Sequence, residues 1–312
     1  SITAGGSTLL MSGASKILTP SPQPLNNFTS SGTISPAGDF TVSGVFNISA
    51  GTFDASDKTI TLSGSGTPLV AVGVFTASSS TIKYTGSSAT NIAAATYNNL
   101  YLDHVGTTFT AAGNLTVGSV LTINTGTFDP LDRTITLSGS TTPFVISGTF
   151  TPSTSTVKYT GGPAVNITDL TYHNLTVDNV LTTFTAAGDL AVNSVITISS
   201  GDFDAADKTI TLAGSGTAML IGGTFTPSTS TIKYTGASAT TITNTNYHNL
   251  TLDHSDIVFS AGGSFTVDGI LNVNAGNFSA LNRTITLSGS GTPYVVNDTF
   301  TAGTSTIKYT AV

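Results

Sequence analysis

The sequence predicts an all-β chain wound as a parallel β-helix, a β-solenoid. Three observations carry that expectation: a 75-residue repeat, a shorter strand-and-turn repeat nested inside it, and a composition that disfavours helices. Of the 312 residues, 33 are Gly and nearly a third are Ser or Thr. All 16 acids are Asp, and Gln occurs once, at Gln23. With nine cations in all, most good helix formers are scarce. Thr, Val, Ile, Phe and Tyr dominate instead and favour strands.

The long repeat comes first, because it sets every later assignment. GTFDASDKTITLSGSGTP begins at Gly51, GTFDPLDRTITLSGSTTP at Gly126, GDFDAADKTITLAGSGTA at Gly201 and GNFSALNRTITLSGSGTP at Gly276. Residues 51–86 and 201–236 agree at 25 of 36 positions. The chain 1–312 therefore reads as one continuous solenoid. Its repeats are 51–125, 126–200 and 201–275, with a diverged partial copy at 1–50 and a partial copy at 276–312.

The nested repeat comes next. TFDPLDRTITLSG (127–139) aligns without gaps on TFTPSTSTVKYTG (149–161). The template is an aromatic, a few small polar residues, an apolar–x–apolar strand and a Gly turn. Period-2 alternation marks strands, and clusters of Gly, Asn, Asp and Ser mark turns. Strands recur near Ile135, Val157, Leu175, Leu190 and Ile210. Such spacing predicts about four coils per long repeat and a stack roughly 80 Å long, at about 4.8 Å per coil. Tandem β-sandwich domains are the alternative. Sandwich strands, however, need not resemble one another at coil spacing.

Aromatic columns supply the core. Phe53, Phe128, Phe203 and Phe278 form one, and Phe75, Phe150, Phe225 and Phe300 a second. Tyr84, Tyr159, Tyr234 and Tyr309 form a third. Tyr97, Tyr172 and Tyr247 form a fourth, and Phe109, Phe184 and Phe259 a fifth. Inward aromatics fill a narrow solenoid, whereas a tyrosine hydroxyl there needs a polar partner. An exposed, sugar-binding aromatic stripe is the competing reading.

Composition also excludes whole classes. A net charge of −7 lacks the basic footprint of a nucleic-acid binder. The absence of Cys removes disulfides, thiolate metal sites and thiol nucleophiles. No apolar run is long enough to span a bilayer as a helix.

NLTVGSVLTINTGTFD, KTITLSGSGTP and STIKYTG, joined by YNNLYLD or YHNLTVD, resemble the phrases of bacterial β-strand-repeat surface proteins. These are similar to filamentous-haemagglutinin-like adhesins and autotransporter passengers. The resemblance covers essentially the whole chain. It implies a right-handed parallel β-helix, an extracellular or cell-surface location, and no catalytic residues.

Candidate sites are few. Asp54, Asp57, Asp129, Asp132, Asp204 and Asp207 lie in FDxxD turns and are weak Ca²⁺ candidates, since Ca²⁺ takes several oxygen ligands. Each second Asp is followed by Lys or Arg, which favours a plain turn. No cofactor is expected. His104 and His254 share one repeat column and His173 and His248 another; members of a column are too far apart to share a metal, and only His248 and His254 can meet within one repeat. Eight of the nine cations fall in two columns, Lys58, Arg133, Lys208, Arg283 and Lys83, Lys158, Lys233, Lys308. Periodic charges do not converge on one cleft, so a polysaccharide-active enzyme is disfavoured. TIT recurs once per long repeat, which is sparse for an ice-binding array.

The ends carry the functional expectation. SITAGGSTLLMS (1–12) is the repeat equivalent of TFTAGTSTIKYT (299–310). Neither segment reads as a polar cap. Ser7, Thr8, Leu9, Leu10 and Met11 at one end, and Thr306, Ile307, Lys308, Tyr309 and Thr310 at the other, are the predicted self-assembly surfaces. The expected function is a structural subunit of a surface fibre, joined head to tail with copies of itself. The alternative is a stalk or adhesin segment flanked by further repeats, with a glycan ligand open.

Overall fold

A computed structural model describes residues 6–310, and among them every regular element is a β-strand. The strands fall in two compact units, Ser1–Ser155 and Thr156–Val312. Every strand pairing described below is parallel.

In the first unit, as far as Tyr84, the chain visits three stacks in rotation. One runs Thr8–Met11, Asn27–Ser30, Phe46–Ile48, Leu69–Ala71. A second runs Lys16–Leu18, Thr33–Pro36, Thr52–Asp54, Val74–Thr76. The third runs Phe40–Val42, Thr59–Leu62, Thr81–Tyr84, Asn99–Ala111, Leu121–Asp129, Phe144–Ile146. As far as Thr81–Tyr84, sequence-adjacent strands belong to different stacks, and each pairs with a counterpart one coil away; beyond it Thr96–Tyr97, Leu115–Val117 and Thr134–Leu137 open a further stack. That is a parallel β-solenoid, as the repeat predicts, and the sheet order gives it three sides. Pro20, Pro22 and Pro24 fall in a strand-free stretch of the first coil, where missing N–H groups and fixed φ prevent ladder formation.

The second unit follows the same plan. Thr156–Tyr159, Asn174–Ala186, Ile196–Asp204 and Met219–Ile221 form one stack. Thr171–Tyr172, Leu190–Val192, Thr209–Leu212, Thr231–Tyr234, Asn249–Ala261, Leu271–Ser279 and Tyr294–Val296 form another. Asn246–Tyr247, Phe265–Val267, Thr284–Leu287 and Thr306–Tyr309 form a third.

Two details depart from the sequence reading. Leu175 pairs with Ile196 and Leu190 with Ile210, so Leu175 and Leu190 lie on different faces rather than on successive coils of one face. In addition, Thr209–Leu212 and its repeat copy Thr284–Leu287 occupy different sheets. A 75-residue step therefore changes the face. At the junction Thr231–Tyr234 pairs with Asn249–Leu252, so that sheet runs through. The stack ending at Met219–Ile221 stops there, and a new one opens at Asn246–Tyr247.

Alternation then sorts the side chains. In Thr59–Leu62, Ile60 and Leu62 are fully buried while Thr59 and Thr61 face outward. One inward ladder in the first unit reads Phe40, Ile60, Ile82, Leu100, Leu121, Phe144. Each such side chain stabilises the coil by roughly 1.5–3 kcal/mol through burial. The phenylalanine columns merge into ladders: Phe109–Phe128–Phe150, Phe184–Phe203–Phe225 and Phe259–Phe278–Phe300. Phe203 and Phe225 stack with centroids 6.1 Å apart, and Phe278 and Phe300 with centroids 5.6 Å apart. Phe75, Phe150 and Phe300 are only half-buried, whereas Phe225, also last in its ladder, is buried.

Gly126 shows why one turn residue admits no side chain. Its φ is +80°, and a Cβ there would lie 2.5 Å from the His104 carbonyl oxygen and 2.7 Å from that of Thr107.

Candidate functional site at the coil edges

Three kinds of polar contact join one coil to the next, and the exposed end strands lack two of them. The first is a tyrosine ring system in the core. Tyr84 and Tyr97, both 0% exposed, bring their hydroxyls within 3.0 Å. Tyr97 donates to the Ala93 carbonyl at 2.8 Å, and the Ala93 N–H donates to Tyr84 at 3.3 Å. With Tyr97's proton committed to Ala93, Tyr84 donates to Tyr97, and the circuit closes. Tyr159, Tyr172 and Thr168 repeat it, as do Tyr234, Tyr247 and Thr243. Except for Tyr309, both tyrosine columns are therefore core, with the polar partner their hydroxyls need. Burial pushes the Tyr84 phenol up to about 12 and Tyr97 well above its usual value.

The second contact is an ion-pair clasp on the surface. Lys83 Nζ lies 2.8 Å from Asp103 Oδ2, on the following coil. Asp103 Oδ1 accepts from Asn124 Nδ2 at 2.8 Å and from Thr125 Oγ1 at 3.0 Å, on the coil after that. One carboxylate thus ties three coils. Lys158–Asp178 (2.7 Å) and Lys233–Asp253 (2.5 Å) repeat the clasp. The Lys83 ammonium and the Asn124 amide hold the Asp103 carboxyl down to about 2. Lys83 also sits 4.9 Å from the centre of the Tyr101 ring. Sequence reasoning found the lysine column and missed its partner. The signal was present as the fixed Asp of YNNLYLD, YHNLTVD and YHNLTLD.

The third contact occupies the Ca²⁺ candidates. Asp54 Oδ1 accepts from Ser56 N at 2.8 Å and from Ser78 Oγ, one coil on, at 2.7 Å. Asp129 does the same with Leu131 and Ser153, and Asp204 with Ala206 and Ser228. The turn is an Asx turn whose third residue takes positive φ at Ser56, Leu131 and Ala206; Leu281 keeps that φ in the copy where Ser279 replaces the Asp. Asp57, Asp132 and Asp207 pair instead with the adjacent Lys58, Arg133 and Lys208. Among the described residues no three His or Asp side chains group as metal ligands. His104 contacts Thr107 Oγ1 at 3.1 Å and His254 the Ser255 carbonyl at 2.7 Å.

Two grooves of the second unit are shallow and occupy equivalent positions in successive repeats. One of about 480 Å³ is lined by Val180, Leu181, Asp202 and Thr224. Another, of about 250 Å³, has Asp256 and Asp298. Asp298 Oδ2 already accepts from Gly276 N at 2.8 Å. Neither groove brings a histidine or a cation to a carboxylate pair. Outward threonines do not form an unbroken array either, because the ladder reads Thr41, Thr61, Lys83, Tyr101, Thr122, Val145.

The end strands differ from their internal copies. Thr306–Tyr309 pairs with Thr284–Leu287 on one side and is open on the other among the described residues. Tyr309 is 60% exposed, whereas Tyr84, Tyr159 and Tyr234 are 0% exposed. Ile307 is half-buried, and Lys308 has no ion pair among the described residues. At the other end Thr8–Met11 pairs, among the described residues, only with Asn27–Ser30, and Leu10 is 62% exposed. Comparison with known proteins returns no matching family model, no matching curated protein and no matching solved structure.

Proposed function

We propose that the chain is a structural segment of an extracellular, cell-surface fibre, lengthened end on by further coils. Its partners are copies of itself or flanking repeats of the same type. The observation that carries this reading is the open strand Thr306–Tyr309. Its tyrosine is 60% exposed where three internal copies are completely covered. An exposed strand edge with an apolar inner face is a template for another strand, which supplies backbone hydrogen bonds and buries the aromatic. The sequence resemblance to bacterial repeat surface proteins supports the location. The periodic spread of charge, without a convergent acid, base and cation, supports a non-catalytic role.

Electron microscopy and light scattering of the purified chain across a concentration series test the proposal. Growth through the end strands, abolished by a proline at Ile307 that removes an edge strand's regularity, is the expected result. A fixed particle at every concentration, together with no strand addition of any kind at 306–310, would overturn it.

A further inference from the structure

We propose that the open edge of Thr306–Tyr309 docks a coil of one chemistry: a strand of the pattern Tyr-x-Asn-Leu-x-Leu-Asp, with Val tolerated for the second Leu. This rests on the fibre reading above and names the partner that its C-terminal edge accepts.

The internal copies define what covers such a strand. Thr81, Ile82, Lys83 and Tyr84 lie against Asn99, Leu100, Tyr101 and Leu102, with the Asn99 N–H donating to the Ser80 carbonyl at 3.0 Å. The covering coil also contributes Tyr97 to the hydroxyl circuit and Asp103 to the lysine clasp. Thr231–Tyr234 receives the same set from Tyr247, Asn249–Leu252 and Asp253. Thr306–Tyr309 repeats the receiving half, with Ser305, Lys308 and Tyr309 in place. Among the described residues its Lys308 has no carboxylate partner, and its Tyr309 is 60% exposed. The neighbouring Tyr294 hydroxyl is buried without a hydrogen-bond partner, a further polar group that an incoming coil can satisfy.

The test uses the full chain with a synthetic peptide of residues 244–254, NTNYHNLTLDH. Hydrogen exchange at residues 306–310 and anisotropy of the labelled peptide are the readouts. The expected result is protection of 306–310 and affinity that falls with salt. Replacing Asp253→Asn in the peptide, or Lys308→Gln in the chain, should weaken binding about two- to fivefold, equivalent to roughly 0.5–1 kcal/mol. Because a short peptide binds weakly on its own, a second arm appends residues 236–262 after Thr310 as a tethered coil. Protection of 306–310 should appear with the native extension. It should diminish when the appended copies of Tyr247 and Asp253 become Phe and Asn. Equal protection by the altered extension would overturn the pairing rule while leaving strand addition and the fibre reading standing. No protection by any extension would overturn both.

Discussion

Tyr84 and Tyr97 share one proton path: their hydroxyls meet at 3.0 Å in the core, and the backbone of Ala93 both receives from one and donates to the other. The arrangement lets a fully apolar interior hold two phenols with each O–H and the intervening N–H satisfied. Removing one member therefore costs more than the bond it makes. Tyr97→Phe strands the Tyr84 O–H and the Ala93 carbonyl, and should cost about 1–3 kcal/mol. Tyr84→Phe strands only the Ala93 N–H and should cost less. The double variant should be milder than the sum, with a coupling of about 1 kcal/mol in denaturant unfolding. Strict additivity would show that the circuit is not cooperative.

Alkaline pH should act through the same groups. Tyr84, Tyr97, Tyr159, Tyr172, Tyr234 and Tyr247 all have folded-state values raised above 10.0, chiefly by burial. An acid whose folded value is raised contributes stability that is complete below its unfolded value and is lost as pH rises. Stability should fall between pH 10.0 and about 12, the range given for Tyr84. Phenolate absorbance from these six side chains should appear with loss of the far-ultraviolet β signal, and ionisation ahead of unfolding would contradict their burial.

Acid acts on the clasps with the opposite sign. Asp103 is held at about 2 against its usual 3.8, mainly by Lys83 and Asn124. A depressed carboxylate contributes stability above its unfolded value that is lost as pH falls through the folded one. That contribution should fade between pH 3.8 and about 2. Lys83→Gln should cost roughly 0.5–1 kcal/mol at neutral pH, because the pair is partly solvated. It should also flatten that part of the acid profile, as read by thermal unfolding at stepped pH.

Calcium should leave the melting temperature unchanged. The Asp54, Asp129 and Asp204 Oδ1 atoms are already committed to a turn N–H and a serine one coil on. Asp129→Ala should still destabilise by about 1–2 kcal/mol through the lost turn bonds. A rise in melting temperature on adding Ca²⁺, reversed by a chelator, would restore the metal reading.

Gly126→Ala should be among the more damaging single changes to a turn, at roughly 2–4 kcal/mol. It combines a left-handed backbone with carbonyl oxygens 2.5 and 2.7 Å from the new methyl. By contrast, Gly66 also has positive φ but has nothing within 4 Å of an added Cβ, and Gly66→Ala should cost about 1 kcal/mol. Equal unfolding midpoints for the two variants would count against the steric part of the argument.

Strand existence and burial were legible in the sequence because each depends on local alternation. Ile60 and Leu62 point in, and Thr59 and Thr61 point out, as a period of two requires. The stacking of Phe128 on Phe150 was likewise visible as a gapless self-alignment. The step from Leu175 to Leu190 was misread, because a linear spacing does not tell a move along the axis from a move around it. The Tyr84–Tyr97 and Lys83–Asp103 partnerships escaped for a related reason. Each joins residues from different columns, and their meeting depends on the path of the turn between them.

The change of face at each repeat has a mechanical consequence. Where the stack ending at Met219–Ile221 stops, the neighbouring sheet passes unbroken from Thr231–Tyr234 to Asn249–Leu252, and the next stack has just begun at Asn246–Tyr247. The seams are staggered like the joints of bonded masonry. A tear opening at one seam runs into an intact row of backbone hydrogen bonds on the adjacent side, so this unit has no level at which every side parts together.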